Sequence, residues 1–115
     1  MTTYKGVVQK GTKRAAALGF PTVNTPLDDK EVSGIYAARV TVDDKLYNAA
    51  AFADQTRNVL EAHILDADLE LYGKEITIEL HKKIRESESF DDDNALRAAI
   101  AGDIQKVRAY FSTLV

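Results

Sequence analysis

The feature that most constrains this fold is the alternation of apolar and polar residues along short segments in the first three quarters of the chain. Successive side chains of an extended strand point to opposite faces, so a period of two predicts β-strands. Strands are predicted at 4–10, 34–42, 46–53, 59–66 and 75–84. In the last strand, the residues expected to point inward are Ile76, Ile78, Leu80 and Ile84. Residues 11–24 lack this pattern and contain a proline, and we predict a loop there.

The period changes after residue 94. Apolar residues then recur at steps of three and four, at Leu96, Ile100, Ile104, Val107, Phe111 and Leu114. This spacing predicts one amphipathic helix. Asp92, Asp93 and Asn94 suit its N-terminus, where free N–H groups favour side-chain oxygens and negative charge. Gly102 lies inside the helix and is expected to allow a close approach to the sheet.

Strands that follow one another without intervening helices exclude a doubly wound parallel sheet. The pattern is typical of a small antiparallel barrel with a C-terminal helix packed against it, because a closed barrel leaves no exposed strand edges. With 115 residues, 45% of them hydrophobic, the chain has enough material for one core. We therefore predict a mainly β fold and a single domain over residues 1–115.

Charge and composition exclude several classes of protein. The net charge of −3 argues against a basic surface for nucleic acid, and the absence of cysteine excludes disulfides and thiolate metal sites. No apolar run approaches the roughly 20 residues of a membrane span, and the N-terminus does not resemble a signal peptide. We expect a cytoplasmic protein that binds neither membranes nor nucleic acid.

Common catalytic motifs are also missing. The sequence contains no G-x-x-x-x-G-K-[ST] phosphate loop, no G-x-G-x-x-G and no H-E-x-x-H. The two histidines, His63 and His81, fall on different predicted strands. A metal site built on histidine is therefore not expected.

The segment LGFPTVN at 18–24 contains Thr22 and Asn24, whose side chains leave an extended backbone on the same side. A hydroxyl and an amide oxygen placed in this way can complete the ligand shell of Mg²⁺ when phosphates and waters supply the rest. Alternatively, both side chains form hydrogen bonds to the turn after Pro21, which is the commoner role of such residues. The residues by themselves favour this second interpretation.

Glu61 lies in the segment VLEAHILD at 59–66. If Leu60, Ala62 and Ile64 point into the core, Glu61 faces solvent on the other side of the strand. If the orientation is reversed, a carboxylate points into the barrel, where burial is costly unless the group is hydrogen-bonded or used. The pattern favours the solvent-facing orientation.

An acidic run with one aromatic residue, RESESFDDDN, occupies 85–94. Such a run is commonly a solvated connector, but Arg85 and Phe90 could instead form one wall of a pocket for a flat ring. The pattern leaves both alternatives open.

The motifs taken together carry a resemblance. In order, the chain contains GVVQKG, LGFPTVN, GIYAARV, LEAHILD, LYGKEITIEL and IRESESF, followed by a Leu, an Ile and an Asp at wider spacing. This order resembles the riboflavin kinase (flavokinase) family, the ATP-dependent type of bacteria and eukaryotes, from about Gly6 to about Tyr110. The resemblance implies a six-stranded antiparallel Greek-key barrel with a C-terminal α-helix, and transfer of the γ-phosphoryl group of ATP to riboflavin, giving FMN.

The resemblance also implies roles for individual residues. Glu61 corresponds to the catalytic base, and Thr22 and Asn24 correspond to the ligands of Mg²⁺. The residues implied for nucleotide binding are Gly11, Lys13, Arg14, Gly19, Pro21 and Thr22. Those implied for flavin binding are Arg85, Glu88 and Phe90. The length leaves no room for the adenylyltransferase domain that many bacterial members carry, so we expect a monofunctional enzyme that acts as a monomer on riboflavin and ATP.

Two segments depart from the family pattern. Ala15 and Ala16 stand where the family usually has a Gly and an Arg before L-G-F-P-T. The Asn, Gly and Pro of the family's N-I-G-x-x-P-T segment fall on Ala50, Phe52 and Gln55. An alternative function is therefore a flavin- or nucleotide-binding homologue that has lost phosphoryl transfer through its altered phosphate loop.

Overall fold

The computed structural model describes residues 2–11 and 14–113, which form six β-strands and two helices. The strands are β1 (Thr2–Val7), β2 (Val23–Pro26), β3 (Gly34–Val42), β4 (Lys45–Asp54), β5 (Val59–Ile64) and β6 (Glu75–Arg85). The helices are α1 (Arg14–Ala17) and α2 (Asp93–Ser112). In the described part of the chain, neither helix is long and apolar enough to cross a membrane.

All six strands belong to one antiparallel sheet with the order β1-β6-β3-β4-β5-β2. The order β6-β3-β4-β5 within it is that of a Greek key, in which three hairpin-connected strands are joined by a fourth that returns beside the first. The backbone N–H of Gln9 donates to the carbonyl of Asn24 at 2.8 Å and links the two ends of the sheet. The barrel is therefore nearly closed, and the predicted fold class is confirmed.

The barrel interior is filled by one side of each strand, as the alternation predicts. Ile76, Ile78 and Leu80 of β6 point inward and are buried. They meet a run of small residues on β4, whose inward members are Ala49, Ala51 and Ala53. These small side chains leave room for the larger aliphatic side chains of the other strands, which fill the interior.

The prediction that Ile84 points into the barrel is wrong. Between β3 and β6 the register shifts twice, once between Ala37 and Ala38 and once between Ile35 and Tyr36. Each shift inserts an extra residue on β6 and changes which side of the sheet the following side chains occupy. Ile84 consequently packs on the outer side, in the cluster beneath α2.

Helix α2 covers part of the outer side of the sheet. It begins after Asp92, whose carboxylate accepts a hydrogen bond from the N–H of Asn94 at 3.1 Å, so the predicted N-terminus is confirmed. Val107 and Phe111 are buried against Ala37 and other residues of the sheet. The predicted close approach at Gly102 is wrong, because a Cβ built there would meet nothing within 4 Å. Leu114 lies outside the described residues.

The loop predicted for residues 11–24 contains a short helix, α1. Its sequence, RAAA, consists of strong helix formers. The helix ends where Gly19 adopts a φ of +97°, a left-handed conformation that favours glycine. After this turn the chain becomes extended and enters β2.

Candidate active site

A single row of paired residues crosses the outer side of the sheet. Register pairs Asn24 of β2 with Glu61 of β5, Glu61 with Phe52 of β4, Phe52 with Ile35 of β3, and Ile35 with Arg85 of β6. Directly paired residues of antiparallel strands project from the same face. Neighbouring strands lie about 4.8 Å apart, so Glu61 and Arg85 are roughly 14 Å apart when measured along the curved sheet, with two apolar residues between them.

At one end of this row Glu61 is buried, with only 8% of its surface exposed. Leu60, Ala62 and Ile64 point into the core, as the pattern favours. The accompanying inference that Glu61 faces solvent is wrong, because the corner formed by residues 18–24 folds over the outer side of β5. The Thr22 hydroxyl of this corner donates to Glu61 Oε1 at 3.4 Å, a long contact.

His63 fastens the corner to β5. Its Nδ1 lies 2.7 Å from the carbonyl oxygen of Pro21, and since a carbonyl can only accept, Nδ1 carries the proton. The ring also meets Phe20 edge to face, with centroids 5.7 Å apart. Pro21 and Thr22 are therefore held in place by the strand that carries Glu61.

Asn24 presents a buried oxygen. Its side chain is covered by Gly11, where a Cβ would lie only 2.5 Å from Asn24 Nδ2. Among the described residues no donor reaches Asn24 Oδ1, although this atom is shielded from solvent. An unpaired amide oxygen beside a weakly bonded hydroxyl is a suitable pair of ligands for a hard cation, so Thr22 and Asn24 fit the Mg²⁺ that the resemblance implies.

A cationic group, the guanidinium of Arg57, reaches Glu61 from the turn between β4 and β5. Arg57 Nη2 donates to Glu61 Oε2 at 2.5 Å, and Arg57 Nε donates to Asp54 Oδ2 at 2.7 Å. Burial raises the pKa of the Glu61 carboxyl above its ordinary value, and the charge of Arg57 opposes this rise. The site therefore holds a carboxylate in a place where an isolated charge would be unstable.

The other end of the row contains the residues implied for flavin binding. Arg85 forms two hydrogen bonds with the buried carboxylate of Asp103 on α2, at 2.8 and 2.9 Å. Its guanidinium lies 5.9 Å from the centre of the Phe90 ring. Glu88 is exposed nearby. The hydrogen bonds that Arg85 donates to Asp103 raise the pKa of Arg85, so the guanidinium remains charged.

The residues implied for nucleotide binding do not all lie in one place. Gly19 and Pro21 lie in the corner already described, and Gly11 lies against the side chain of Asn24. Arg14 points toward the opposite end of the row, since its Nη2 lies 3.5 Å from the Phe90 carbonyl and 3.4 Å from Asp93 Oδ1. Lys13 lies outside the described residues.

An open cleft of about 580 Å³ lies beside β1 and the end of β2. Its lining includes Gln9, which is bonded to Asn24, and the exposed ring of Tyr72. The Lys10 ammonium lies 5.6 Å from the centre of that ring. The cleft thus offers an exposed aromatic ring and a cation beside the segment that leads to Gly11.

Two residues of the site were not predicted from the sequence. Asp103 has a recognisable signal, because it is a charged residue in the helical stripe between Ile100 and Val107. No sequence pattern marks Arg57, an arginine in a turn between two strands. Its proximity to Glu61 follows from the fold of that turn.

The arrangement defines a class of protein: a Greek-key barrel with a buried carboxylate facing a Thr and Asn corner, and an apolar strip leading to a fixed arginine. The family model for flavokinase, described as riboflavin kinase, matches residues 1–111. The chain belongs to the riboflavin kinase family.

Individual relatives agree with this assignment. The chain is 32% identical over 122 residues to a bifunctional riboflavin kinase/FMN adenylyltransferase of Bacillus subtilis, covering 96% of this chain and 39% of that protein. The crystal structure of riboflavin kinase from Trypanosoma brucei superposes with a TM-score of 0.68 at 25% identity, covering 96% of this chain and 79% of that one.

A further crystal structure, titled as a macrolide-efflux protein from Streptococcus pneumoniae, has a TM-score of 0.80 at 24% identity. It covers 92% of this chain and 38% of that one, and at this identity it is evidence for the fold alone. The chain spans less than half the length of the curated relatives it matches.

Proposed function

We propose that the protein transfers the γ-phosphoryl group of ATP to the ribityl 5′-hydroxyl of riboflavin, giving FMN and ADP. The observation that carries the proposal is the burial of Glu61 beside Thr22, opposite Asn24 and on the same row as Arg85. The proposed general base and the two proposed oxygen ligands of Mg²⁺ thus lie at one end of an apolar strip. Membership of the riboflavin kinase family supports the same conclusion.

In this reaction the 5′-hydroxyl oxygen forms a bond to the γ-phosphorus, and the bond from that phosphorus to the bridging oxygen breaks as ADP leaves. Glu61 accepts the hydroxyl proton. Burial favours this step, because a desolvated carboxylate that is held in place is a stronger base than an exposed one. The exclusion of water by the 18–24 corner also disfavours hydrolysis of ATP.

The row suggests how the flavin lies. Its flat and largely apolar ring rests on Ile35 and Phe52, with Arg85 and Phe90 at its far edge and Glu88 at the rim. The ribityl chain then extends along the row toward Glu61. A tricyclic ring with its side chain suits a strip of this length.

ATP approaches from the other side of the corner. The cleft beside Tyr72 receives the nucleoside, and Gly11, Gly19, Pro21 and residues of the 11–19 segment surround the phosphates. Lys13 and Arg14 are proposed as the basic groups of that segment, and Arg14 must leave its contacts with Phe90 and Asp93 to reach the phosphates. We further propose that Thr22 and Asn24 hold Mg²⁺, which neutralises the charge on the phosphate oxygens when it is bound.

The test is to incubate the purified protein with riboflavin, ATP and MgCl₂ and to separate FMN by chromatography. Glu61→Gln is expected to lower kcat by roughly 10²–10⁴-fold while riboflavin binding persists. Glu75→Gln removes a carboxylate of an exposed ion pair with Lys5 and is the matched control. Tight riboflavin binding with no turnover from any nucleoside triphosphate would instead favour the binding homologue with an altered phosphate loop.

The metal assignment has its own test. Thr22→Val is expected to weaken binding of Mg·ATP and to leave riboflavin binding nearly intact. Equal loss of both affinities would mean that Thr22 only supports the corner.

We also propose, from the sequence, that the protein acts as a monomer in the cytoplasm. Light scattering of the purified chain tests the first point, and fractionation of cells tests the second.

A further inference from the structure

The turn between β4 and β5 holds Arg57 between two carboxylates. Asp54 ends β4 and is buried, and Glu61 lies on β5. The guanidinium donates through Nε to the first and through Nη2 to the second. The Arg57 side chain itself is 37% exposed. It therefore covers Glu61 on the side away from Thr22.

The turn is built so that this arginine has little freedom. Asp54 Oδ1 accepts the backbone N–H groups of Thr56 and Arg57, at 3.0 and 3.2 Å. Asn58 adopts a φ of +56°, which reverses the chain into β5. Asp54 thus fixes both the backbone and the side chain of Arg57, and the guanidinium is aimed at Glu61 before any substrate binds.

The consequence for Glu61 is that its two oxygens are no longer equivalent. Oε2 is occupied by Arg57, whereas Oε1 faces the Thr22 hydroxyl at the long distance of 3.4 Å. The last torsion of a glutamate side chain is broad and roughly two-fold, so an unheld carboxylate would sample several orientations. Only Oε1 is directed toward the corner at which the phosphates are proposed to bind.

We propose that Arg57 is a positioning residue for phosphoryl transfer, which holds Oε2 of Glu61 so that Oε1 receives the proton of the riboflavin 5′-hydroxyl. This inference rests on the proposed function. Arg57 takes no proton itself: the proton passes from the hydroxyl to Oε1 as the new bond to phosphorus forms and ADP departs. The arginine acts on the rate of this step.

The test compares the wild type with Arg57→Met and Arg57→Lys in steady-state FMN formation, and measures riboflavin binding by quenching of flavin fluorescence. Arg57→Met keeps the bulk of the side chain and loses the charge; we expect kcat to fall about 10–100-fold and the riboflavin dissociation constant to change less than threefold. Arg57→Lys keeps a charge that reaches Glu61 but cannot bridge both carboxylates. Its kcat is therefore expected to lie between those of the wild type and Arg57→Met.

Arg108→Met is the matched control, because Arg108 also donates two hydrogen bonds to one carboxylate, that of Asp66, on the surface of α2. It should change neither kcat nor binding. Asp54→Asn preserves acceptors for the turn but weakens the hold on Arg57, and its kcat should fall by less than that of Arg57→Met. Thermal unfolding of each variant gives the folded fraction; if Arg57→Met does not fold, Arg57→Lys and Asp54→Asn decide the question.

The outcomes separate the two proposals. Wild-type turnover together with an Arg57→Met kcat within twofold would overturn the positioning role and leave the kinase intact. A loss of kcat matched by an equal loss of riboflavin affinity, or explained by the unfolded fraction, would also overturn it. If the wild type forms no FMN from ATP, the proposed function fails, and the role of Arg57 fails with it.

Discussion

The outer side of the barrel is covered in two contrasting ways. Helix α2 covers one part with an apolar cluster in which Ala37, Leu65, Val107 and Phe111 are buried. The corner at 18–24 covers another part and buries the carboxylate of Glu61, to which Thr22 donates a hydrogen bond. Both coverings exclude water from the same sheet; the first does so through an apolar cluster, and the second encloses a carboxylate.

The two coverings are expected to contribute to different properties, the first to stability and the second to catalysis. Apolar burial beneath α2 contributes about 25 cal/mol per Å² and needs no special partners. A buried carboxylate disfavours folding unless its charge is paired, and Glu61 obtains this pairing from Arg57 and Thr22. Locally unfavourable arrangements of this kind persist where a protein uses them. The helix side is therefore expected to control stability and the corner side to control turnover.

The largest expected effect on stability comes from the helix side. Phe111→Ala removes a buried ring and should lower the free energy of unfolding by about 3 kcal/mol. Urea unfolding followed by circular dichroism measures this change. FMN formation per folded molecule should remain near the wild-type value. A fall in kcat of the folded fraction would show that the two coverings are not independent.

A somewhat smaller effect is expected where the two regions meet. Asp103→Asn removes the charge that α2 contributes to Arg85, and should lower the free energy of unfolding by about 2 kcal/mol, because Arg85 is left partly buried without its carboxylate. Riboflavin binding, measured by fluorescence quenching, should also weaken. If the affinity for riboflavin is unchanged, the orientation of Arg85 does not depend on the helix, and the helix side does not contribute to flavin binding.

The apolar strip between the regions gives the third prediction. Phe52→Ala should raise the riboflavin dissociation constant about tenfold, since an aromatic floor for the flavin is lost. The KM for ATP should hardly change. Leu46→Ala alters an exposed apolar residue of the same strand and is the control. An equal effect of both variants would mean that Phe52 supports the barrel in general and not the flavin.

The smallest effect is expected at the altered phosphate loop. Ala16 is exposed on α1, so Ala16→Arg adds a cation without disturbing packing. The KM for ATP should fall about two- to threefold, in the range of a solvent-exposed ion pair. Ala109→Arg places the same charge on an exposed position of α2 and should have no effect. A rise in KM for Ala16→Arg alone would show that the loop of this chain approaches the phosphates differently from the family pattern.

Much of the fold could be predicted from the sequence. The strand predicted at 34–42 has the bounds of β3, and the inward side of β6 is correct as far as Leu80. Beyond that point the prediction for Ile84 fails, because bulges change the side on which residues project and leave no mark in the pattern. Helix α1 was missed because four residues are too few to show a helical period.

Less of the candidate site than of the fold could be predicted from the sequence pattern. The proposed roles of Thr22, Asn24 and Glu61 derive from family resemblance, since the alternation alone favoured an exposed Glu61. That a corner distant in sequence folds over the carboxylate depends on the contacts of His63 with Phe20 and Pro21. Such contacts between separate segments are not visible in a local pattern.

The sequence by itself determined every strand except β2, the terminal helix and the two sides of most strands, because these follow from the geometry of a few neighbouring residues. Strand β2 begins inside the segment predicted as a loop. The tertiary structure decided which outward side chains are buried, which carboxylate is paired with Arg57, and that Asn24 and Arg85 share one row. Strand pairing across the sheet places segments about 60 residues apart on one row, and only this pairing gives their side chains a common environment.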